Sequence, residues 1–444
     1  MEDLIERLLD EIDVHKQKIT GVRRANRQDE GRVAGMAALL EGVRMDRGRP
    51  LFYAYIGSGM GNGALVELAD GSVKWDFITG IGTNFFGHSD RQFMRKAVRA
   101  ALSDVPIQGH LQPNAEYVRF LSTLTKNVPG RCKHAWPSMS GTLANENALK
   151  LIRQKKHPAW RVLAFQGAFA GRSTTLSEIT DNDLNKKGQP TLGQACHLPF
   201  YDPANPLSTA HTLEKLDEAL LRHPGEFCAI HVELIQGEGG FREAPAEFFR
   251  PVFDRCRRAG VAIWVDEIQT FGRTGELYAL DRLGLSDWAD VVTIGKMLCG
   301  SACFFTAELN PEPGLISGTF AGYTAGLALG SDVIRRLKEE GYLGPAGKIR
   351  KLEVALADRM RSLRDKQLIQ DYTVVGTMAA LTPNQSDLQS VQRLVRTLFD
   401  AGLCTYYGGH APRCRLRMLL PGCLAPSDLA EPFAILEQVL KDPA

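Results

Sequence analysis

The chain lacks any long apolar run. No stretch approaches the ~18 residues that a membrane-spanning helix needs. The first residues, Met1-Glu2-Asp3-Leu4-Ile5-Glu6-Arg7, are charged where a secretory signal would be apolar. These two absences predict a soluble, cytoplasmic protein with no membrane partner. An excess of one charge is missing too: 53 Lys and Arg face 51 Asp and Glu, for a net charge of +2. Composition therefore offers no case for nucleic acid or an anionic lipid surface. The nine cysteines are scattered, odd in number and form no C-x-x-C. That argues against a disulfide framework and for free thiols in a reducing compartment. The one close pair, Cys299-Gly-Ser-Ala-Cys303, adjoins an apolar run and reads as buried thiols, so no metal is expected. Internal repeats and low-complexity tracts are absent as well.

What is present suits a large globular enzyme. The 444 residues are 44% hydrophobic, enough for two or three domains. Apolar positions Leu4, Ile5, Leu8, Leu9 and Ile12 have helical spacing, which predicts a helix over 2–18. A basic stretch, Arg23-Arg24-Ala25-Asn26-Arg27, reads as a solvated connection. From 160 to 310 strands and helices alternate. Arg161–Phe165, Ala229–Glu233, the stretches Val261–Thr270 and Val291–Lys296, and Ala302–Thr306 are candidate strands, and 246–259 sets Phe248, Phe249, Val252, Phe253 and Cys256 on one helical face. This is an α/β pattern with a mainly parallel sheet flanked by helices. Beyond 330 the pattern becomes mostly helical, over 331–339, 346–366, 386–401 and 427–441, with a strand-like part from Tyr372 to Leu381. The shift predicts an N-terminal segment at 1–95, a large domain at 96–330 and a small α+β domain at 331–444 that the N-terminal segment helps to build.

Two stretches stand out chemically. Val261-Ala-Ile-Trp-Val-Asp266 and Val291-Val-Thr-Ile-Gly-Lys296 are short apolar runs that each end on a charge. Such runs read as strands buried on both faces, and the carboxyl ends of parallel strands border the ligand crevice. A lone buried acid or amine is costly. Pyridoxal phosphate accounts for both, because it takes a lysine as its Schiff-base partner and an acid opposite its ring nitrogen. A structural Asp266–Lys296 ion pair is the competing reading. Ser138-Met-Ser-Gly141-Thr142 leads into a strong helix-forming run, and a helix N-terminus suits a phosphate, although hydroxyl residues also serve as ordinary caps. The glycine cluster Gly57–Gly63 precedes a strand, an Asp70-Gly71 turn and a second strand, so the helix that a nucleotide-phosphate loop requires is missing there.

Five segments, in order, resemble the class III (ω-amino acid) aminotransferases of the fold-type I pyridoxal phosphate enzymes. They are Gly141-Thr142 with Ala144–Lys150, Gly167-Ala-Phe-Ala-Gly-Arg172, Glu233-Leu-Ile-Gln-Gly-Glu-Gly-Gly240, Val265-Asp-Glu-Ile-Gln-Thr270 and Ile294-Gly-Lys296. The segments resemble most the 4-aminobutyrate and lysine 6-aminotransferases, and the likeness spans roughly 65–440. It implies that Lys296 attaches the cofactor and then moves a proton, and that Asp266 faces the pyridine nitrogen. Gln269 would meet the ring hydroxyl, Phe169 would stack on the ring, and Gly141 and Thr142 would bind the phosphate. Thr319 would reach the phosphate of the partner subunit, which implies a homodimer with shared sites. Arg172 and Arg417 resemble the two carboxylate-binding arginines, with Arg415 as the alternative to Arg417, and Glu238 resembles the acid that masks the second arginine. The implied reaction moves an amino group from an ω-amino acid, a lysine-like amino acid or an amine to 2-oxoglutarate or a related 2-oxo acid. A same-fold aminomutase, racemase or decarboxylase is the alternative. Ala170, Leu234, Leu143 and Tyr323-Thr324 depart from the usual family residues and bear on substrate choice.

Overall fold

The computed structural model describes residues 1–25, 27–105, 107–409 and 413–442. Asn26, in the basic stretch near the N-terminus, lies outside the described residues. The chain forms two compact units, Met1–Arg99 with Lys348–Ala444, and Ala100–Gly347. Composition had suggested boundaries at 95/96 and 330/331. The helix Thr324–Glu339 runs unbroken through position 330, and twelve of its residues are buried.

The second unit is built on a seven-stranded sheet in the order His134–Ser138, Ser301–Phe305, Val291–Ile294, Ala262–Glu267, Phe227–Val232, Arg161–Phe165, Ala195–Leu198. The last five of these strands are mutually parallel, while Ser301–Phe305 is antiparallel to both of its neighbours. The sheet is therefore mainly parallel, as the alternation implies. Its central strands are buried throughout and mostly apolar, with His231, Asp266, Glu267 and Thr293 as the polar positions, because helices cover both faces. The strands His134–Ser138 and Ala195–Leu198 have no long apolar run to announce them: Pro137 breaks the first pattern and His197 the second. On one face the helix Gly141–Lys156 contributes Ala148, Leu149, Leu151 and Ile152, packed with Trp264, Val291 and Ala229. Elsewhere in the unit the helix Ala246–Arg258 buries Phe248, Phe249, Val252, Phe253 and Cys256. Phe249 lies 5.2 Å from Phe248 and 5.7 Å from Phe253, centroid to centroid.

The first unit holds two four-stranded sheets. One comprises Gly57–Asn62, Leu65–Leu68, Val73–Asp76 and Leu403–Cys404. Its hairpin turns at Asp70-Gly71, where Asp70 Oδ1 accepts from Ser72 N at 2.9 Å and Gly71 takes φ 86°. The glycine cluster is thus an edge strand of this sheet, and no helix follows it. The second sheet, Ile369–Val375, Met378–Pro383, Arg415–Leu419 and Tyr406–Gly408, resolves the strand-like part at 372–381 into a hairpin. Its core partners are Leu352, Leu356 and Met360 of the helix Lys348–Asp365 and Val391, Val395 and Leu398 of the helix Leu388–Ala401. Asp387 caps the latter by accepting from Ser390 N at 2.9 Å, and Gly402 ends it at φ 110°. The 18-residue helix Glu30–Arg47 has no counterpart among the helices read from the sequence. It buries only Met36, with Leu40 and Val43 half-buried on the same face, and Gly31, Gly35 and Gly42 weaken its helical signal.

Phe253→Ala removes a fully buried ring and is expected to cost about 3–5 kcal/mol in urea unfolding. Leu221→Ala, at a side chain 85% exposed, is expected to change stability by less than about 0.5 kcal/mol.

Candidate functional site

The site grows from the carboxyl ends of two adjacent parallel strands. Asp266 closes the strand Ala262–Glu267 together with Glu267, in register with Thr293 of the strand Val291–Ile294. The second strand continues through Gly295 to Lys296, which opens a short 3-10 turn at φ 48°. A positive φ on a β-carbon-bearing residue persists only where its surroundings impose it, and such positions cluster at ligand sites. Lys296 is half-buried.

Ile268 ties these strand ends to a helix N-terminus. Its N–H donates to Asp266 Oδ1 at 2.9 Å. A β-carbon on Gly295 would stand 3.3 Å from Ile268 Cγ2, and one on Gly141 only 2.6 Å from Ile268 Cδ1. Glycine at both positions lets the isoleucine wedge between the lysine turn and the start of the helix Gly141–Lys156. Ser140 caps that helix, accepting from Leu143 N at 3.2 Å. The first-turn N–H groups of Gly141 and Thr142 lie on the positive end of the helix dipole. Thr142 Oγ1 in turn abuts Gly171, where a β-carbon would approach to 3.0 Å.

Beneath this rim lies a buried polar cluster. Asn145, one turn into the same helix, donates from Nδ2 to Asp266 Oδ2 at 2.7 Å and to the carbonyl of Ala170 at 2.7 Å. Its Oδ1 accepts from Thr293 Oγ1 at 2.7 Å. His231 Nε2 lies 3.3 Å from Asp266 Oδ2. Glu233 accepts from Phe169 N at 2.8 Å and from Gly237 N at 2.9 Å. Burial, reinforced by the nearby charge of Asp266, pushes the Glu233 carboxyl up to about 8 against the pull of those two N–H groups. The neighbouring acid Glu267 serves the fold: it accepts from the N–H groups of Ala279 and Leu280 and from the hydroxyl of Thr270.

The remaining residues singled out from the sequence fall in several places. Phe169 is half-buried, with its backbone held by Glu233. Gln269 is 9% exposed, and among the described residues its Oε1 has no hydrogen-bond partner. Gly237 faces that amide so closely that a β-carbon would come within 2.5 Å of Oε1. Arg172 is exposed, with its guanidinium 5.9 Å from the Phe169 ring centroid. Glu238 is half-buried on the segment after Gly237, and Thr319 is exposed, its carbonyl against Gly109. All of these belong to the second unit.

Arg417 belongs to the first unit, on the strand Arg415–Leu419. Its Nε donates to the Tyr407 carbonyl at 3.0 Å, and Gly408 leaves room for it: a β-carbon there would sit 2.6 Å from that nitrogen. Arg415 meets Asp371 at 3.3 Å and Thr373 Oγ1 at 3.0 Å. Sequence reasoning missed Asn145 and His231 as members of the site. The signal was a histidine inside an apolar strand and an asparagine on the buried face of a helix, two polar groups that need partners.

The chain matches the family model for class-III aminotransferases over residues 52–440. It is 28% identical over 388 residues to acetylornithine aminotransferase from Bacillus anthracis, covering 86% of this chain and 93% of that one. Diaminobutyrate–2-oxoglutarate transaminase from Streptomyces coelicolor is 27% identical over 396 residues, covering 84% and 90%. Among solved structures, lysine aminotransferase from M. tuberculosis has a TM-score of 0.80 at 20% identity, covering 90% of this chain and 99% of that one. At that identity the likeness bears on the fold alone.

Glu233 links this site to stability. Its folded carboxyl binds a proton up to about 8, whereas the unfolded one releases it near 4.5. The folded state therefore holds the extra proton in that window, and stability from this group is present below it and lost as pH rises through about 8. Thermal unfolding followed from pH 5 to 9 is expected to decline less steeply in Glu233→Gln than in the wild type. The absolute midpoint also drops, because one amide NH₂ faces a backbone N–H.

Proposed function

The chain belongs to the class III aminotransferases, and from that membership we propose that it transfers an amino group from an ω-amino acid, a lysine-like amino acid or an amine to 2-oxoglutarate or a related 2-oxo acid, using pyridoxal 5'-phosphate held at Lys296. The observation that carries the reading is the convergence of Asp266, Gly295 and Gly141 on Ile268: its N–H holds the carboxylate, and its side chain fills the space left by the glycines that precede Lys296 and Thr142. The acceptor is supported by a relative whose name contains 2-oxoglutarate.

The residues fit that cofactor. Family members depend on pyridoxal phosphate, whose bound ring withdraws electrons from the substrate carbon. A helix N-terminus with unsatisfied N–H groups and the Thr142 hydroxyl suits its phosphate. The carboxylate of Asp266, immobilised by Ile268 N and Asn145 Nδ2, suits a protonated ring nitrogen. The orphaned amide oxygen of Gln269 suits a ring hydroxyl, and the half-buried face of Phe169 suits the ring plane. Lys296, once released by the incoming amine, holds and moves a proton at the substrate carbon.

Arg172 and Arg417 are assigned to substrate carboxylates, since guanidinium binds them bidentately. Arg415, which meets Asp371, is the alternative to Arg417. Glu238 is assigned the masking role toward the second arginine. Thr319 is assigned to the phosphate of a partner subunit in a homodimer; its exposure beside the exposed Phe320 and Tyr323 supports that reading. The scattered thiols support a cytoplasmic location.

Formation of glutamate from 2-oxoglutarate across a panel of ω-amino donors tests the activity, and no glutamate with any donor would refute it. Within that assay, Arg417→Ala is expected to slow the half-reaction with glutamate about tenfold to a hundredfold, as loss of a hydrogen bond to a charged group costs about 1.5–3 kcal/mol. The donor half-reaction should change far less. Arg172→Ala is expected to impair every carboxylate-bearing substrate in both halves. Single-turnover rates resolve the two patterns.

A further inference from the structure

The strand Phe227–Val232 is buried at every position and apolar except at His231, whose side chain is 0% exposed. A histidine there must earn its place through a hydrogen bond. Register explains which one. Trp264 pairs with His231 across the parallel ladder, and side chains two residues apart share a face. His231, Trp264 and Asp266 therefore share one side of the sheet, the side covered by the helix that carries Asn145. The imidazole stands edge-on to the Trp264 ring at 4.7 Å, and its Nε2 reaches diagonally to Asp266 Oδ2 at 3.3 Å.

The tautomer follows from the other nitrogen. Among the described residues, His231 Nδ1 has no hydrogen-bond partner. A buried N–H left unsatisfied costs more than a bare ring nitrogen, so the hydrogen sits on Nε2 and is donated to the carboxylate. Asp266 then accepts from three directions: Ile268 N on Oδ1, and Asn145 Nδ2 and His231 Nε2 on Oδ2. Three donors, from a strand, a turn and a helix, fix both the position and the plane of one carboxylate. Glu233, the remaining acid of the cluster, engages backbone N–H groups instead.

We propose that His231 is a positioning residue for Asp266, donating from Nε2 so that the carboxylate stays aligned for the ring nitrogen of the cofactor. This rests on the reading of the site as one for pyridoxal phosphate. The consequence is that cofactor affinity depends on a side chain below the site that never touches the cofactor. A glutamine can place an N–H donor near the position of Nε2, whereas leucine and methionine fill the space with no donor.

Apoprotein titrated with pyridoxal phosphate, followed by absorbance and by quenching of tryptophan emission, tests the proposal on wild type, His231→Leu, His231→Met and His231→Gln. The donorless variants are expected to bind the cofactor about tenfold more weakly, the effect of one charge-assisted hydrogen bond. His231→Gln is expected to stay within about threefold of wild type. Thermal unfolding of each apoprotein separates this from packing: a lowered midpoint with wild-type cofactor affinity in the leucine or methionine variant overturns the proposal. A tenfold loss in His231→Gln also overturns it, and that arm decides if neither donorless variant folds. Failure of the wild type to bind pyridoxal phosphate would overturn the cofactor reading itself, a result distinct from equal binding by all four proteins.

Discussion

The larger unit depends on holding one carboxylate at a defined point at the end of a buried strand. Asp266 is 6% exposed, and an acid so placed is tolerable only if its oxygens are occupied. Ile268 N occupies one oxygen from the turn that follows, and Asn145 occupies the other from the covering helix. Because Asn145 also holds the Ala170 carbonyl and accepts from Thr293, the same contact sets the Gly167–Arg172 loop and the adjacent strand. Loss of that one contact would loosen three elements at once. The glycines at 141, 237 and 295 belong to the same arrangement, since a side chain at any of them would press on Ile268 or Gln269.

Much of this was legible in the residues. Two apolar runs each ending on a charge announce adjacent strand ends, and the structure places Asp266 and Thr293 in register across them. The five-residue apolar face of 246–258 announced a buried helix, and all five are buried. What escaped notice did so for physical reasons. The helix Glu30–Arg47 buries one residue, and its three glycines, Gly31, Gly35 and Gly42, lower its helical propensity. The strands His134–Ser138 and Ala195–Leu198 are only partly buried and derive their identity from neighbours distant in sequence. Likewise the partners of Asp266 lie 121 and 35 positions away, so only the fold reveals them.

The two arginines on the strand Arg415–Leu419 show a similar limit. They stand two residues apart on one face, and no pattern in the sequence separates them. In the fold Arg415 meets Asp371 and Thr373, and Arg417 donates from Nε to the Tyr407 carbonyl beside Gly408. The departures Ala170 and Leu234 lie within the site's framework, both buried, and leave the residues that contact Asp266 in place.

The central claim is that Lys296 carries the cofactor opposite Asp266. The most direct measurement is borohydride reduction of the protein loaded with pyridoxal phosphate, followed by proteolysis and mass mapping of the peptides. The account expects a single pyridoxyl group, on the peptide containing Lys296. A group fixed on a different lysine, or none in protein that has taken up the cofactor, would contradict it.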